Sequence, residues 1–396
     1  MTWTEVPLRR IFRVVNGGTP KSDERYWNGD VSWATPVDIG AVDGKYLAST
    51  ERSLTEEGVL VGSRTVPADA LVLSTRAPIG YVAQTTTRMA FNQGCRGLVA
   101  TVPVDIRYFR YQLLALRKDL VSRGAGSTFM ELSADTLAAV PVVRPPLDEQ
   151  SRIADFLDAE TARIDRLMTG QLRVLDLLEE RVNSRILELI GQSLLVQQGG
   201  SAIVPMRRVI KKLSRPVLPT GEIITAFRDG QVTARSIRRN EGYTLAASTG
   251  PQGQGVHIGD IVVHGLDGFA GAIGDSEASG NCSLVYHVCL PTDGGNSSFY
   301  GRLLRLLALG DYLALFGASA RERAVDFRNW QTFGHALIPQ AEPAVQHEIG
   351  SLITKIRPLR EEVKRFNDRL TERRQALIRA VVTGEMDVST SKGVAV

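Results

Sequence analysis

Cysteine is scarce in this chain. Cys95, Cys282 and Cys289 are the only three in 396 residues, and no CxxC pair occurs. That excludes a disulfide framework or a cysteine zinc site and fits a reducing cytoplasm. Long apolar runs are missing too. None approaches the ~18 consecutive apolar residues of a membrane span. The opening MTWTEVPLRR has no basic stretch followed by an apolar one, so no secretory signal is expected.

Catalytic signatures are equally sparse. There is no GxxxxGK[ST] phosphate loop, no GxGxxG after a strand and no GxSxG elbow. The [DN]PP[YF] motif, with which amino-methyltransferases hold a base amine, is absent. His347-Glu348 lacks the second histidine of HExxH, and the other histidines (His257, His264, His287, His335) have no helical metal-ligand spacing. Glu362-Val-Lys364 matches a fragment of nuclease sites, but without a preceding Pro-Asp strand it reads as a surface ion pair. No metal or cofactor site and no catalysis are expected of this chain.

What is present is ordinary globular composition, 43% hydrophobic and 23% charged, with an uneven charge distribution. The net charge is +3 over residues 1–147, −4 over 148–198, +3 over 199–340 and +2 over 341–396. Mild basicity permits a polyanion partner without requiring one.

The chain also repeats itself. Val6-Pro-Leu-Arg-Arg-Ile11 returns as Val204-Pro-Met-Arg-Arg-Val209, and Ala139-Val-Pro141 as Leu337-Ile-Pro339, both offset by 198 residues. Pro145-Pro-Leu-Asp-Glu-Gln150 is echoed by Pro343-Ala-Val-Gln346. Asp69–Gly80 resembles Asp260–Gly274, and Asn92–Cys95 precedes a counterpart at Gly280–Cys282. Two diverged copies of one unit are expected, each a strand-rich globular domain followed by a helix. Ala70-Leu-Val-Leu-Ser and Ile261-Val-Val-His read as buried strands, and Arg107–Val121 and Phe299–Phe316 as packing helices.

The segments after each domain carry heptads. Leu157, Ile164 and Leu178 form one seam, and Met168, Leu175, Val182 and Leu189 the other, with Thr161, Gln171 and Arg185 as interruptions. A helix over about 148–192 would run about 65 Å. Ile349, Ile356, Val363, Leu370 and Leu377 fall seven apart, with Leu352, Leu359 and Phe366 three further on. Pro358 predicts a kink or a restart, and Gly384 a stop. The expected fold is α+β: two similar domains (1–147 and 199–340) separated by two long helices (148–198, and 341–396 with its tail). The helices are expected to pair as an antiparallel coiled coil with pseudo-two-fold symmetry. The competing arrangement packs each helix on its own domain.

At this point a family resemblance enters. Its carriers are Gly17-Gly-Thr-Pro20, Tyr26-Trp27-Asn-Gly29, Trp33, Arg76-Ala-Pro-Ile-Gly80, Asn92-Gln-Gly-Cys95 and Pro145–Gln150 leading into Ile153-Ala-Asp-Phe-Leu157. Through them the chain resembles the specificity (S) subunit of Type I restriction–modification systems over essentially its full length. The second half departs from that pattern, with Ala341-Glu-Pro-Ala-Val-Gln346 and Gly271-Ala-Ile-Gly274 in the matching places. The resemblance implies two target recognition domains, each reading half of a bipartite DNA site, with the helices setting the unread spacer. It implies double-stranded DNA and two methyltransferase (M) subunits as partners, with restriction (R) subunits joining for cleavage, in a bacterial or archaeal cytoplasm. S-adenosylmethionine, ATP and Mg2+ would sit on those partners.

Candidate DNA contacts follow from residue type, since Arg and Lys suit guanine and phosphate, and Asn and Gln suit adenine. In the first domain they are Lys21, Ser22, Arg25, Arg64, Arg76, Arg123, Ser127 and Thr128. In the second they are Arg228, Gln231, Arg235, Arg238, Arg239, Gln252, Gln254, Ser319, Arg321 and Arg323. Arg76 has a structural alternative as part of a recurring motif, and Trp27 and Trp33 read as core. Gln150 and Gln346, at matching helix starts, either contact a partner subunit or cap locally. Two other functions compete: an orphan or other-system DNA-recognition protein, and a coiled-coil adaptor that binds no DNA.

Overall fold

A computed structural model describes residues 3–76, 78–126, 130–195, 202–238, 253–292, 294–321 and 324–388. The chain divides into two compact units, residues 1–169 with 366–396, and residues 170–365. The central helix Leu147–Leu195 and the C-terminal helix Pro343–Val382 each have residues in both units.

In the first unit one sheet orders its strands Phe12–Asn16, Cys95–Ala100, Leu71–Ser74, Val82–Thr85 and Tyr46–Leu47. Leu71–Ser74 is buried at every position, as a short apolar run between turns should be, and Val82–Thr85 beside it is buried as well. A second sheet runs Ser53–Leu54, Trp27–Ala34, Met89–Phe91, Thr65–Val66, with Trp27–Ala34 parallel to Met89–Phe91. Thr4–Pro7 pairs antiparallel with Pro141–Arg144. The expected Arg107–Val121 helix is two, Ile106–Ala115 and Arg117–Ser122, joined at Leu116.

The second unit repeats this plan. Its first sheet orders Ile210–Lys212, Tyr286–Pro291, Ile261–His264 and Ile273–Asp275. Its second places Val232–Ala234, Glu222–Ala226, Gly280–Cys282 and Gln254–Val256 side by side, with Glu222–Ala226 parallel to Gly280–Cys282. Ala202–Pro205 pairs with Leu337–Gln340, as Thr4–Pro7 does with Pro141–Arg144. The domain helix is Ser297–Leu309, followed by a 3-10 turn at Leu313–Phe316. The internal repeat is thus one of topology as well as of sequence.

Within each unit the two long helices pack antiparallel. In the first, Leu157 near the start of the central helix shares a core with Ile378 and Val381 near the end of the C-terminal helix. In the second, Val182 and Ile186 share a core with Ile349, Ile353 and Ile356. An acid–arginine rung crosses the pair in each unit, Asp165 with Arg374 (3.6 Å) and Glu179 with Arg360. The two acids lie 14 residues apart on one helix and the two arginines 14 apart on the other, two heptads in each case.

Two helical expectations are corrected. The second apolar row of the C-terminal helix lies four residues on from the first, not three. Ile353 is buried, while Leu359 and Phe366 stand 38% and 41% exposed. The row continues through Arg360, Asn367 and Arg374, so a sequence search for apolar residues selects the wrong row. Nor does Pro358 restart the helix, which runs unbroken from Pro343 to Val382. A proline removes a single N–H donor, and the packed face holds the segment together. The helix ends where expected, with Gly384 at φ +77°.

Gln150 and Gln346 are buried, 1% and 4% exposed, and resolve as local locks rather than partner contacts. Gln150 donates to the Pro145 carbonyl (2.8 Å) and accepts from the Asp105 amide (3.0 Å) at the cap of the domain helix. Gln346 donates to the Ala341 carbonyl (2.8 Å) and accepts from the Asn296 amide (3.1 Å) at the matching cap. Each glutamine ties the start of a long helix to the start of a domain helix and spends its amide inside the protein.

Candidate nucleic-acid interface

In the first unit the loop Gly17–Arg25 is pinned from below by two indoles. Trp33 Nε1 donates to the Gly18 carbonyl and Trp27 Nε1 to the Lys21 carbonyl, both at 3.0 Å. The rings meet edge to face, 5.0 Å apart. Gly17 must be glycine, because a Cβ there would lie 1.9 Å from the Asn92 carbonyl oxygen. The loop therefore holds Lys21 and Ser22 exposed, with no polar partner among the described residues. Arg25 is exposed but paired with Asp23 at 2.9 Å. Arg64 is exposed without a carboxylate.

Arg76 is bound to Glu131 at 2.7 Å, and Arg96 reaches the same carboxylate at 3.1 Å. Hydrogen bonding from Arg76 holds the Glu131 carboxyl below its usual range. Glu131 also pairs through its backbone with Ala125 and with Arg76, closing the loop that begins at Arg123. Arg123 is bonded to Asp119 at 2.7 Å across one helical turn. Ser127 and Thr128, at the tip, lie outside the described residues. Arg76 thus ties this loop to Glu131.

In the second unit four of the described candidates have internal partners. Arg228 is paired with Asp267 and Arg238 with Asp229, each at 2.8 Å, and Gln231 donates to Glu277 at 2.8 Å. Arg235 is half-buried at the start of a short 3-10 turn. Gln254 departs from expectation: it is 5% exposed and donates to the Tyr286 carbonyl at 2.7 Å, so it belongs to the sheet interior rather than to an open surface. Ser319 and Arg321 lie on the strand Ala318–Arg321, but their side chains, with Arg239, Gln252 and Arg323, fall outside the described residues.

Sequence reasoning missed two features. One is Arg52, exposed and stacked over the Trp27 ring at 3.6 Å. The other is a pair of polar anchors between domain and helix. Asp158 on the central helix accepts from Arg110 (2.9 Å), Arg107 (3.1 Å) and Tyr111 (2.6 Å). Glu179, in the second unit, meets Arg302 at 2.7 Å as well as Arg360. Burial opposes the Glu179 charge, but the two guanidiniums hold its carboxyl below the usual range. Acids interrupting an apolar heptad were the available signal.

Among the described residues no group of three or more His, Cys, Asp or Glu side chains could hold a metal. No described helix is long and apolar enough to cross a membrane.

Residues 1–176 match the family model described as the Type I restriction modification DNA specificity domain. Residues 1–176 thus form a domain of the Type I specificity family. The "Type I restriction enzyme MjaIX specificity subunit" of Methanocaldococcus jannaschii is 34% identical over 159 residues, 39% of this chain and 37% of that one. The "Type I restriction enzyme EcoR124I/EcoR124II specificity subunit" of Escherichia coli is 24% identical over 187 residues, 44% of this chain and 45% of that one. The chain thus spans less than half the length of either curated relative. The likeness in fold extends further. A chain solved in work on complex assembly and conformational transition of the type I R-M system superposes with a TM-score of 0.63 over 97% of this chain and 98% of that one, at 12% identity. The S subunit of the Type-I system from M. genitalium gives a TM-score of 0.50 over 96% of both chains, at 14% identity. These two likenesses concern the fold, and they extend over the second copy, where the motifs have diverged.

Proposed function

We propose that this chain is the DNA-addressing subunit of a Type I restriction–modification complex, reading a bipartite site with one domain per half. The observation that carries it is the duplicated topology: two domains of one plan, each locked through a buried glutamine to the start of a long helix. Two similar readers on shared helices suit a site with two halves and an unread spacer. Half-sites about one helical turn apart, ~34 Å, lie on one face of the duplex.

In this reading Lys21, Ser22 and Arg64 reach phosphates or bases directly, and the paired Arg25, Arg228, Arg238 and Gln231 exchange an internal partner for DNA. The chain provides the address and no chemistry. Two methyltransferase subunits would bring S-adenosylmethionine and flip and methylate an adenine. Restriction subunits would bring ATP and Mg2+. With Gln150 and Gln346 buried, the surface for those partners shifts to the exposed leucines and valine of the central helix, Leu172 (50% exposed), Val174 (57%) and Leu177 (47%).

Methylation mapping tests the proposal. The chain is expressed with a partner methyltransferase and the DNA is read for methyladenine. A bipartite motif is expected, and exchanging residues 1–147 for those of a relative should change one half only. An active, bound partner that produces no such motif overturns it.

A further inference from the structure

Five arginines in the described structure lie over an aromatic ring: Arg25, Arg52, Arg110, Arg117 and Arg238. Four have a carboxylate partner, respectively Asp23, Asp158, Asp43 and Asp229. Arg52 has none among the described residues. It is exposed, yet its position is defined. Its guanidinium carbon lies 3.6 Å from the centre of the Trp27 ring and 5.3 Å from that of Trp33. Its backbone carbonyl accepts from the Trp33 amide (3.0 Å) and from the Thr50 hydroxyl (2.7 Å). The shelf beneath it is firm, since Trp33 is 3% exposed and Trp27 is half-buried and bonded to the Lys21 carbonyl.

A stacked guanidinium keeps its five N–H donors directed outward in the ring plane. An internal carboxylate would satisfy them, as happens at the other four arginines that lie near a ring. A cation whose role was only to shield the indoles would need no such fork. A phosphate contact needs charge but little planarity, and the neighbouring, unrestrained Lys21 suffices for that. An unspent fork over an indole beside the Lys21 loop has the form that guanine O6 and N7 accept bidentately in the major groove.

We propose that Arg52, held over the Trp27 ring, is a base-reading residue of the first domain and takes a guanine in its half-site. The assignment rests on the DNA-addressing reading above. It makes Trp27 a positioning residue, acting through Arg52 without touching DNA.

The test uses the full chain assembled with its methyltransferase partner. Methylation rates are measured on duplexes carrying every single substitution in both half-sites, for the native chain, Arg52→Lys, Arg52→Ala and Trp27→Leu. Arg52→Lys keeps the charge and loses the planar fork. It should lose about tenfold to a hundredfold of discrimination at one G·C pair of the first half-site, with the second half-site read as before. Trp27→Leu should weaken discrimination at that same pair, and Arg52→Ala should match or exceed Arg52→Lys. Retained discrimination in the two Arg52 variants overturns the assignment. So does a uniform loss on all sequences, rescued by Lys, which marks a phosphate contact. If the native chain discriminates at neither half-site, the addressing reading falls with it, whereas discrimination by the native chain that survives Arg52→Lys removes Arg52 alone.

Discussion

In the first unit Lys21, Arg52 and Arg64 stand at the surface without a carboxylate among the described residues. In the second, Arg228, Arg238 and Gln231 face Asp267, Asp229 and Glu277. The two units share sheet order, helix caps and glutamine locks, so their difference is one of charge placement on a common frame. Backbone topology tolerates many surface sequences, while each surface pairing is local. A duplicated frame can therefore carry two dissimilar surfaces. Donors already paired must break an internal contact to reach DNA, and donors left open need not. The first surface should accordingly contribute more to the salt dependence of binding.

The anchors give the largest expected effect and the first way to break that comparison. Asp158→Ala leaves Arg110, 2% exposed, without its carboxylate. Loss of one partner of a buried pair costs about 3–5 kcal/mol. Glu179→Ala should cost less, because Arg302 and Arg360 are 11% and 35% exposed and can reach water. Hydrogen exchange resolved by peptide reads both. Equal losses would mean that the two anchors are equivalent.

Acid sharpens the contrast. All five histidines lie within 170–365. Burial pushes His287 down to about 4, and the ring packs against Trp330 while its Nε2–H meets the Phe327 carbonyl at 2.6 Å. A depressed histidine is neutral in the fold while the unfolded chain takes up a proton below about 6.5. Stability of the second unit should therefore be intact above that pH and fall between about 6.5 and 4, by up to about 3 kcal/mol. Exchange in the first unit should not change over that window through histidine. Parallel loosening of both units would contradict this.

Gln150→Ala and Gln346→Ala test the likeness rather than the difference. Each orphans a buried amide and a carbonyl, for about 1–3 kcal/mol. Near-equal shifts in urea midpoint are expected, and a large inequality would show that the matching locks are not energetically matched.

Smaller effects concern DNA. Lys21→Ala should reduce the slope of log K against log salt by about 0.9, one phosphate contact. Arg228→Ala should reduce it less, since Asp267 already neutralises that cation. Arg123→Ala, at an exposed pair one turn apart, should shift stability by only about 0.3–0.5 kcal/mol.

Much of this was legible in the linear chain. The repeat, the buried strands Leu71–Ser74 and Ile261–His264, the long helices and their end at Gly384 follow from periodicity and turn chemistry, which act over a few residues. Candidate donors could be picked out by residue type alone. Which of them are spent on internal partners was not legible, because Arg76 and Glu131 lie 55 residues apart and Arg238 depends on the turn that presents Asp229.

Local sequence alone determined two copies of an α+β unit, each leading into a long amphipathic helix, because hydrophobic period and glycine placement are properties of neighbouring residues. The tertiary structure decided the rest. It chose Ile353 over Leu352 for the helix seam, placed Gln254 inside a sheet, turned Gln150 and Gln346 into locks, and left Arg52 open on its indole shelf. Each of those depends on which distant group arrives to bury or pair a side chain, and such arrivals exist only once the chain has folded.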